Sequence, residues 1–178
     1  PITVEMIQYL ILNAKSAHQD SPAAAMADWS TMSLQAGPRS SEWCQSHSKL
    51  FLPITSPIQT NVDGSATAFI AGDFVLKNKH KSPVLFTPSL DQSTVVLVST
   101  RWRYQKNGDN GQIITYARNS DNPELCYVSA VIRILARAQR LDIKPDCPIA
   151  VAMAGKKKLS PCFITSTSVA SHLQAAAK

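Results

Sequence analysis

Apolar residues recur at helical spacing over residues 3–17. Val4, Ile7, Leu10 or Ile11, and Ala14 share one face, and Thr3 is placed to cap its start. A second helix is predicted from Ser21-Pro22, because a serine hydroxyl accepts from free amides at a helix start and proline is tolerated in the first turn. It runs to about Leu34 and is broken by Gly37-Pro38. Ser40 or Ser41 can cap a short third helix through Glu42, Trp43 and Cys44. Residues 53–68 carry Pro53, Pro57, Gly64 and many hydroxyl side chains, and read as a loop.

The pattern then changes. Residues 69–76 form an apolar segment that can be a strand, and Val95-Val96-Leu97-Val98 opens a stronger one that continues through Trp102 and Tyr104. Asn107-Gly108-Asp109-Asn110-Gly111 is a turn signal, and Ile113-Ile114-Thr115-Tyr116 returns as the second strand of a hairpin. A helix follows from about Glu124 to Leu141. Leu125, Val128, Ile132, Leu135 and Ala138 form its apolar stripe, with Arg133, Arg137 and Arg140 on the other side. Pro145 and Pro148 end it, residues 149–153 are a short apolar run, and Lys156-Lys157-Lys158 is a loop. A last helix starts near Ser166, with Val169, Leu173 and Ala176 at helical spacing. The expected fold is α+β, a mainly helical body with a small antiparallel sheet whose hairpin lies near 95–117, in a single domain over 1–178.

Composition narrows the class. At 178 residues, 44% hydrophobic and 17% charged, the chain is globular rather than disordered or collagen-like. No apolar run approaches the roughly 18–20 residues needed to span a bilayer, and no leader with a charged start and an apolar core precedes the first helix. The chain starts at Pro1 in patterned sequence and stops at Lys178 within a predicted helix, so a piece of a longer protein is expected. Charge is uneven. Residues 1–76 set Lys15, Arg39 and Lys49 against Glu5, Asp20, Asp28, Glu42, Asp63 and Asp73, a net of −3, which leaves +9 of the chain's +6 total for residues 77–178. Such a distribution favours a polyanionic partner, with a solvated basic surface as the plainer account. Cys44, Cys126, Cys147 and Cys162 are dispersed, and His18, His47, His80 and His172 show no ligand spacing around them. Reduced thiols in an intracellular protein are expected, not a zinc site or a disulfide framework.

Two short stretches carry candidate chemistry. In Gly37-Pro38-Arg39-Ser40-Ser41-Glu42 a glycine ends one helix and a serine starts the next, so a guanidinium lies near a helix N-terminus, where free amides favour an anion. The planar fork of Arg39 suits a phosphate, and Glu42 can hold that fork by a salt bridge. A capped helix with an Arg–Glu surface pair is the structural alternative. In Arg101-Trp102-Arg103-Tyr104-Gln105-Lys106-Asn107-Gly108, period-two geometry puts Arg101, Arg103 and Gln105 on one face and Trp102, Tyr104 and Lys106 on the other. Lys106 stands at the mouth of the turn, where it can reach a groove or deliver a proton to a leaving oxygen. Charge that guards a sheet edge is the alternative there.

Taken together, the Gly-x-Arg-x-Ser-Glu stretch between helices and the later Gln105-Lys106-Asn107-Gly108 hairpin resemble the first half of a tyrosine recombinase (phage-integrase family) catalytic domain. The segment from Ala27-Asp28-Trp29 to Glu42-Trp43-Cys44-Gln45, and the helix beginning Leu125-Cys126-Tyr127, are similar to its eukaryotic mobile-element branch. The resemblance covers roughly residues 2–178. It implies DNA strand exchange, in which a tyrosine hydroxyl attacks a DNA phosphate, a 3′-phosphotyrosyl bond forms, and the freed 5′-hydroxyl later attacks a partner strand. It implies no cofactor, neither metal nor nucleotide, because the phosphotyrosine conserves the bond energy. By the same resemblance Arg39 clamps the phosphate, Lys106 is the general acid and Glu42 supports the site. Arg101, Arg103, Lys156, Lys157 and Lys158 are expected to contact DNA. The partners implied are double-stranded DNA and, in the full-length protein, further copies on that DNA, with no membrane; the expected location is the nucleus.

The departures are specific. No His is followed three residues later by Arg, and Tyr9, Tyr104, Tyr116 and Tyr127 all precede the place of the family's nucleophile. Pro38 stands where the family usually has a bulky apolar residue. The chain is therefore expected to be an N-terminal catalytic half that binds DNA at most. The alternatives are a non-catalytic DNA-binding remnant of a mobile element and an unrelated α+β interaction domain.

Overall fold

The computed structural model describes residues 2–103, 110–155 and 158–178. The readings made above for Tyr104, Gln105, Lys106, the turn residues Asn107, Gly108 and Asp109, and Lys156 and Lys157 fall outside those residues. The described residues form a mixed α+β fold of five α-helices and two small antiparallel sheets.

The helix starts follow their caps. In α1 (Val4–Lys15) the Thr3 hydroxyl accepts from the Met6 amide, and in α2 (Pro22–Ala36) the Ser21 hydroxyl accepts from the Ala24 amide. Gly37 ends α2 in the left-handed region at φ 67°, and its amide donates to the Ser33 carbonyl at 2.8 Å. Every residue from Ala25 to Ser33 is buried, because α1 packs on one side of α2 and α4 (Tyr127–Arg140) on another. The many Ala and Ser residues of α2 permit that close approach. The helix predicted from Glu124 begins at Tyr127; residues Pro123–Leu125 make a 3-10 turn capped by Asn122, whose side chain accepts from the Leu125 amide. In α5 (Ser166–Ala176) Thr165 caps the start, Val169 is buried, and Leu173 and Ala176 are half-buried.

The first sheet has the order β3-β2-β4-β5, made of β2 (Phe74–Lys77), β3 (Pro83–Val84), β4 (Leu97–Arg101) and β5 (Ile113–Ala117). The predicted hairpin is its β4–β5 pair, in register from Leu97 opposite Ala117 to Arg101 opposite Ile113. Pairing continues past Arg101, with the Trp102 amide donating to the Gln112 carbonyl at 2.8 Å and the Gly111 amide to the Trp102 carbonyl at 2.7 Å. The segment 69–76 is a strand only from Phe74. Before it, Ala71–Asp73 turn in a 3-10 helix while the Asp73 carboxylate accepts from the Ile70 amide at 2.9 Å.

The second sheet was not expected. β1 (Phe51–Pro53), β7 (Ser160–Ile164) and β6 (Val151–Ala154) form it in that order, pairing Phe51 with Ile164 across most of the chain. Gly155 follows β6 at φ 147°, where a Cβ would lie 2.1 Å from the Lys158 carbonyl oxygen, so only glycine fits without moving the chain. Between the sheets and α2 sits an aromatic cluster. The Trp29 and Trp43 rings stack with centroids 4.8 Å apart, Phe69 lies against Trp29, and Trp102 meets the Phe69 ring at an edge.

Candidate functional site

Arg39 is exposed and Glu42 buried, and they are joined differently from expectation. α3 (Ser40–Trp43) is a single turn whose N-cap position is Arg39, not Ser40 or Ser41. The Glu42 carboxylate reaches back and accepts from the Arg39 backbone amide at 2.7 Å, while the Glu42 amide donates to the Arg39 carbonyl at 2.9 Å. Glu42 thus fixes the backbone that carries Arg39 and makes no ion pair with its guanidinium. One turn of helix also brings little dipole to this position. Burial pushes the Glu42 carboxyl above the usual range, against the lowering effect of the Arg39 amide and the Arg39 charge. The Glu42 carbonyl accepts from the Phe69 amide at 3.1 Å, so the turn is tied to the segment that leads into the first sheet.

At the other end of that segment lies an aspartate that the sequence reading passed over. Asp73 has a fully buried side chain, and two arginines converge on it. Arg101 donates to Oδ1 through Nε at 3.3 Å and Nη2 at 3.1 Å, and Arg103 donates to Oδ2 through Nε. Both arginines therefore leave the sheet on one side, as the alternation predicts, while Trp102 points into the core. They differ in exposure: half of the Arg101 side chain (49%) is in solvent, against 16% for Arg103. Together they form one wall of an open cleft of about 620 Å³ whose opposite wall is the 61–65 turn, with Asn61, Asp63 and Ser65. Hydrogen bonds from Ser65, together with the field of Arg103, hold the Asp63 carboxyl below the usual range.

The α4 arginines are all paired with buried aspartates, although Arg133 and Arg140 remain exposed. Arg137 is buried; its Nη2 donates to Asp28 Oδ2 and its Nε to the Gln19 carbonyl at 3.1 Å. Arg133 takes the other Asp28 oxygen, and Arg140 pairs with Asp20 through Nη2 at 2.7 Å. An apolar cavity of about 380 Å³ between α1, α2 and α4 has Asp28 and these three arginines in its wall. Much of the contrast between an acidic first part and a basic remainder is consequently satisfied inside the molecule, through Asp20, Asp28 and Asp73. Of the basic loop, Lys158 is described and is exposed.

The sequence did hold a signal for Asp28 and Asp73: each is a lone acid in an otherwise apolar or small-residue run, and a buried carboxylate requires a paired cation. Among the described residues no cluster of three or more His, Cys, Asp or Glu side chains could hold a metal ion, and no helix is long and apolar enough to cross a membrane. No protein-family model, no curated protein and no solved structure matches this chain.

Proposed function

We propose that the chain is part of a DNA strand-exchange recombinase that works through a phosphotyrosyl intermediate, and that these 178 residues alone bind duplex DNA without cutting it. The observation that carries this reading is the Arg39 turn. An exposed guanidinium stands on a backbone locked by a buried glutamate. That turn is bonded, through Phe69, to the segment that leads into the sheet whose β4–β5 connection contains Lys106 in its sequence. In the proposed mechanism the Arg39 fork takes two oxygens of the scissile phosphate and offsets the charge that grows on them. Lys106 gives its proton to the departing 5′-oxygen. Glu42 keeps Arg39 from retreating, by its hold on the backbone. Arg101, Arg103 and Lys156–Lys158 contact phosphates to either side and set position rather than sequence.

Fluorescence anisotropy with a labelled duplex at several salt concentrations tests this. Binding is expected to weaken steeply with salt, with a slope of about −0.9 per phosphate contacted. Arg39→Ala should weaken it more than Lys106→Ala, which should reduce the slope by about one. No covalent protein–DNA adduct should form. Absence of binding at low salt, or binding indifferent to salt, would refute the DNA-facing role, and an adduct would show that one of the four tyrosines is a nucleophile. Sequence beyond Lys178 that encodes His-x-x-Arg and then Tyr is the outcome expected of the recombinase; its absence from the full-length protein would favour the non-catalytic remnant.

A further inference from the structure

We infer that Asp73 is a positioning residue that prepares Arg101 to take a DNA backbone phosphate at the mouth of the cleft. The inference rests on the DNA-binding reading above, and its evidence is separate from the Arg39 turn.

One buried carboxylate needs one counter-charge, yet Asp73 has two. Arg103 is the inner one, and the carboxylate opposite it, Asp63, already lies in its field. The positive charge left over belongs to Arg101, whose side chain is half in solvent. The grip on Arg101 is directional. Asp73 holds the Nε and Nη2 edge of the guanidinium and leaves the Nη1 side of the fork turned away from the carboxylate. An arginine held along one edge has already lost much of its rotamer freedom, so less is lost again when a phosphate binds. Asp73 is itself immobile, because its Oδ2 also accepts from the Ile70 amide in the turn that opens β2.

The prediction has a sign that simple charge counting reverses. Removing a negative charge close to bound DNA should tighten binding and steepen its salt dependence. If Asp73 acts by positioning, Asp73→Asn should instead weaken duplex binding by roughly tenfold and make the slope shallower by about 0.9, one phosphate contact. In an Arg101→Ala background the same substitution should have no further effect on affinity. Melting curves fix the temperature at which each variant is folded, so that lost structure is not read as lost binding. A readout without DNA accompanies these. In the free protein the Nε–H signals of Arg101 and Arg103 should be slow to exchange in NMR spectra, and in Asp73→Asn the Arg101 signal should exchange fast. Tighter or unchanged binding by Asp73→Asn, additive losses in the double variant, or unprotected signals in the wild type would each overturn the inference and leave the Arg39 proposal standing. Failure of the wild type to bind DNA at low salt, by contrast, would overturn both.

Discussion

Two pairs of arginines meet buried aspartates in this molecule, and Arg137 of one pair and Arg101 of the other end up in different physical situations. On α4, Arg137 shares Asp28 with Arg133 and also donates to the Gln19 carbonyl, and its side chain is 3% exposed. At the end of β4, Arg101 shares Asp73 with Arg103 and keeps half its side chain in water. The motifs look alike in a charge count. The first joins α4 to α2 and the residues before it, so its energy is spent within the fold. The second holds an arginine at a surface, where the same type of bond leaves donors for something else. Burial of the cation, not its number of partners, distinguishes a structural arginine from one available to a polyanion, and by that measure Arg133, 43% exposed beside Asp28, falls with Arg101 rather than with Arg137.

The largest effect should come from Arg137→Ala. It strips one of two cations from a carboxylate that is out of water, and should cost about 3 kcal/mol, read from urea or thermal unfolding. Arg101→Ala should cost less than Arg137→Ala by the same measurement, since the half-exposed Arg101 gives up little solvent contact and Arg103 still neutralises Asp73, yet it should weaken DNA binding. Equal losses of stability from the two substitutions would erase the distinction. Glu42 then sharpens it as a buried acid with an exposed cation nearby. Its folded-state pKa lies above the ordinary 4.5, so the folded protein holds this proton more tightly than the unfolded chain does. The stability that results is present below pH 4.5 and is lost as pH rises through the folded value. Glu42→Gln, which still accepts from the Arg39 amide, should therefore gain on the wild type between pH 4 and 7 when melting temperatures are compared. A constant gap would show that the carboxyl does not titrate as buried.

The smallest effect concerns how tightly the α4 side is closed. Cys126 stands at the start of α4 and Cys147 beyond its end. Of the four thiols only Cys147 is partly exposed, and burial pushes Cys44 up to about 12. Burial also raises the Cys126 thiol, but hydrogen bonds from Ser129 and from the amides of Ser129, Asn119 and Val128 together bring it below its ordinary value. A thiol reagent should label Cys147 alone in the native state and all four after unfolding. Native labelling of Cys126 would mean that the N-terminal end of α4 opens.

What the sequence disclosed follows from the range of the interactions involved. Caps act over three residues, so Thr3, Ser21 and Gly37 were readable, and a hairpin turn is equally local. The second sheet was hidden because β1 is three residues long and ends in Pro53, β7 contains Pro161, and each pairs with a partner that local pattern does not reveal. At the candidate site the alternation placed Arg101 and Arg103 together, but their anchor stands 28 residues before Arg101, in what read as strand. Glu42 was correctly linked to Arg39 and wrongly given its side chain. Side-chain and backbone attachment look identical at a spacing of three, and a capping glutamate at that spacing favours the backbone.

All three tryptophans of the chain lie in the aromatic cluster: Trp29 and Trp43 as a near-parallel stack, interplanar angle 8°, and Trp102 against the Phe69 ring that also lies on Trp29. The intrinsic emission of the protein therefore originates at the junction between the Arg39 turn and the β4–β5 hairpin. Two indoles stacked 4.8 Å apart shield each other from water, so separation of α3 from α2 would expose both rings and shift their emission to the red. The molecule carries its own optical gauge at the place where a ligand is proposed to act, and needs no attached dye to report a shift there.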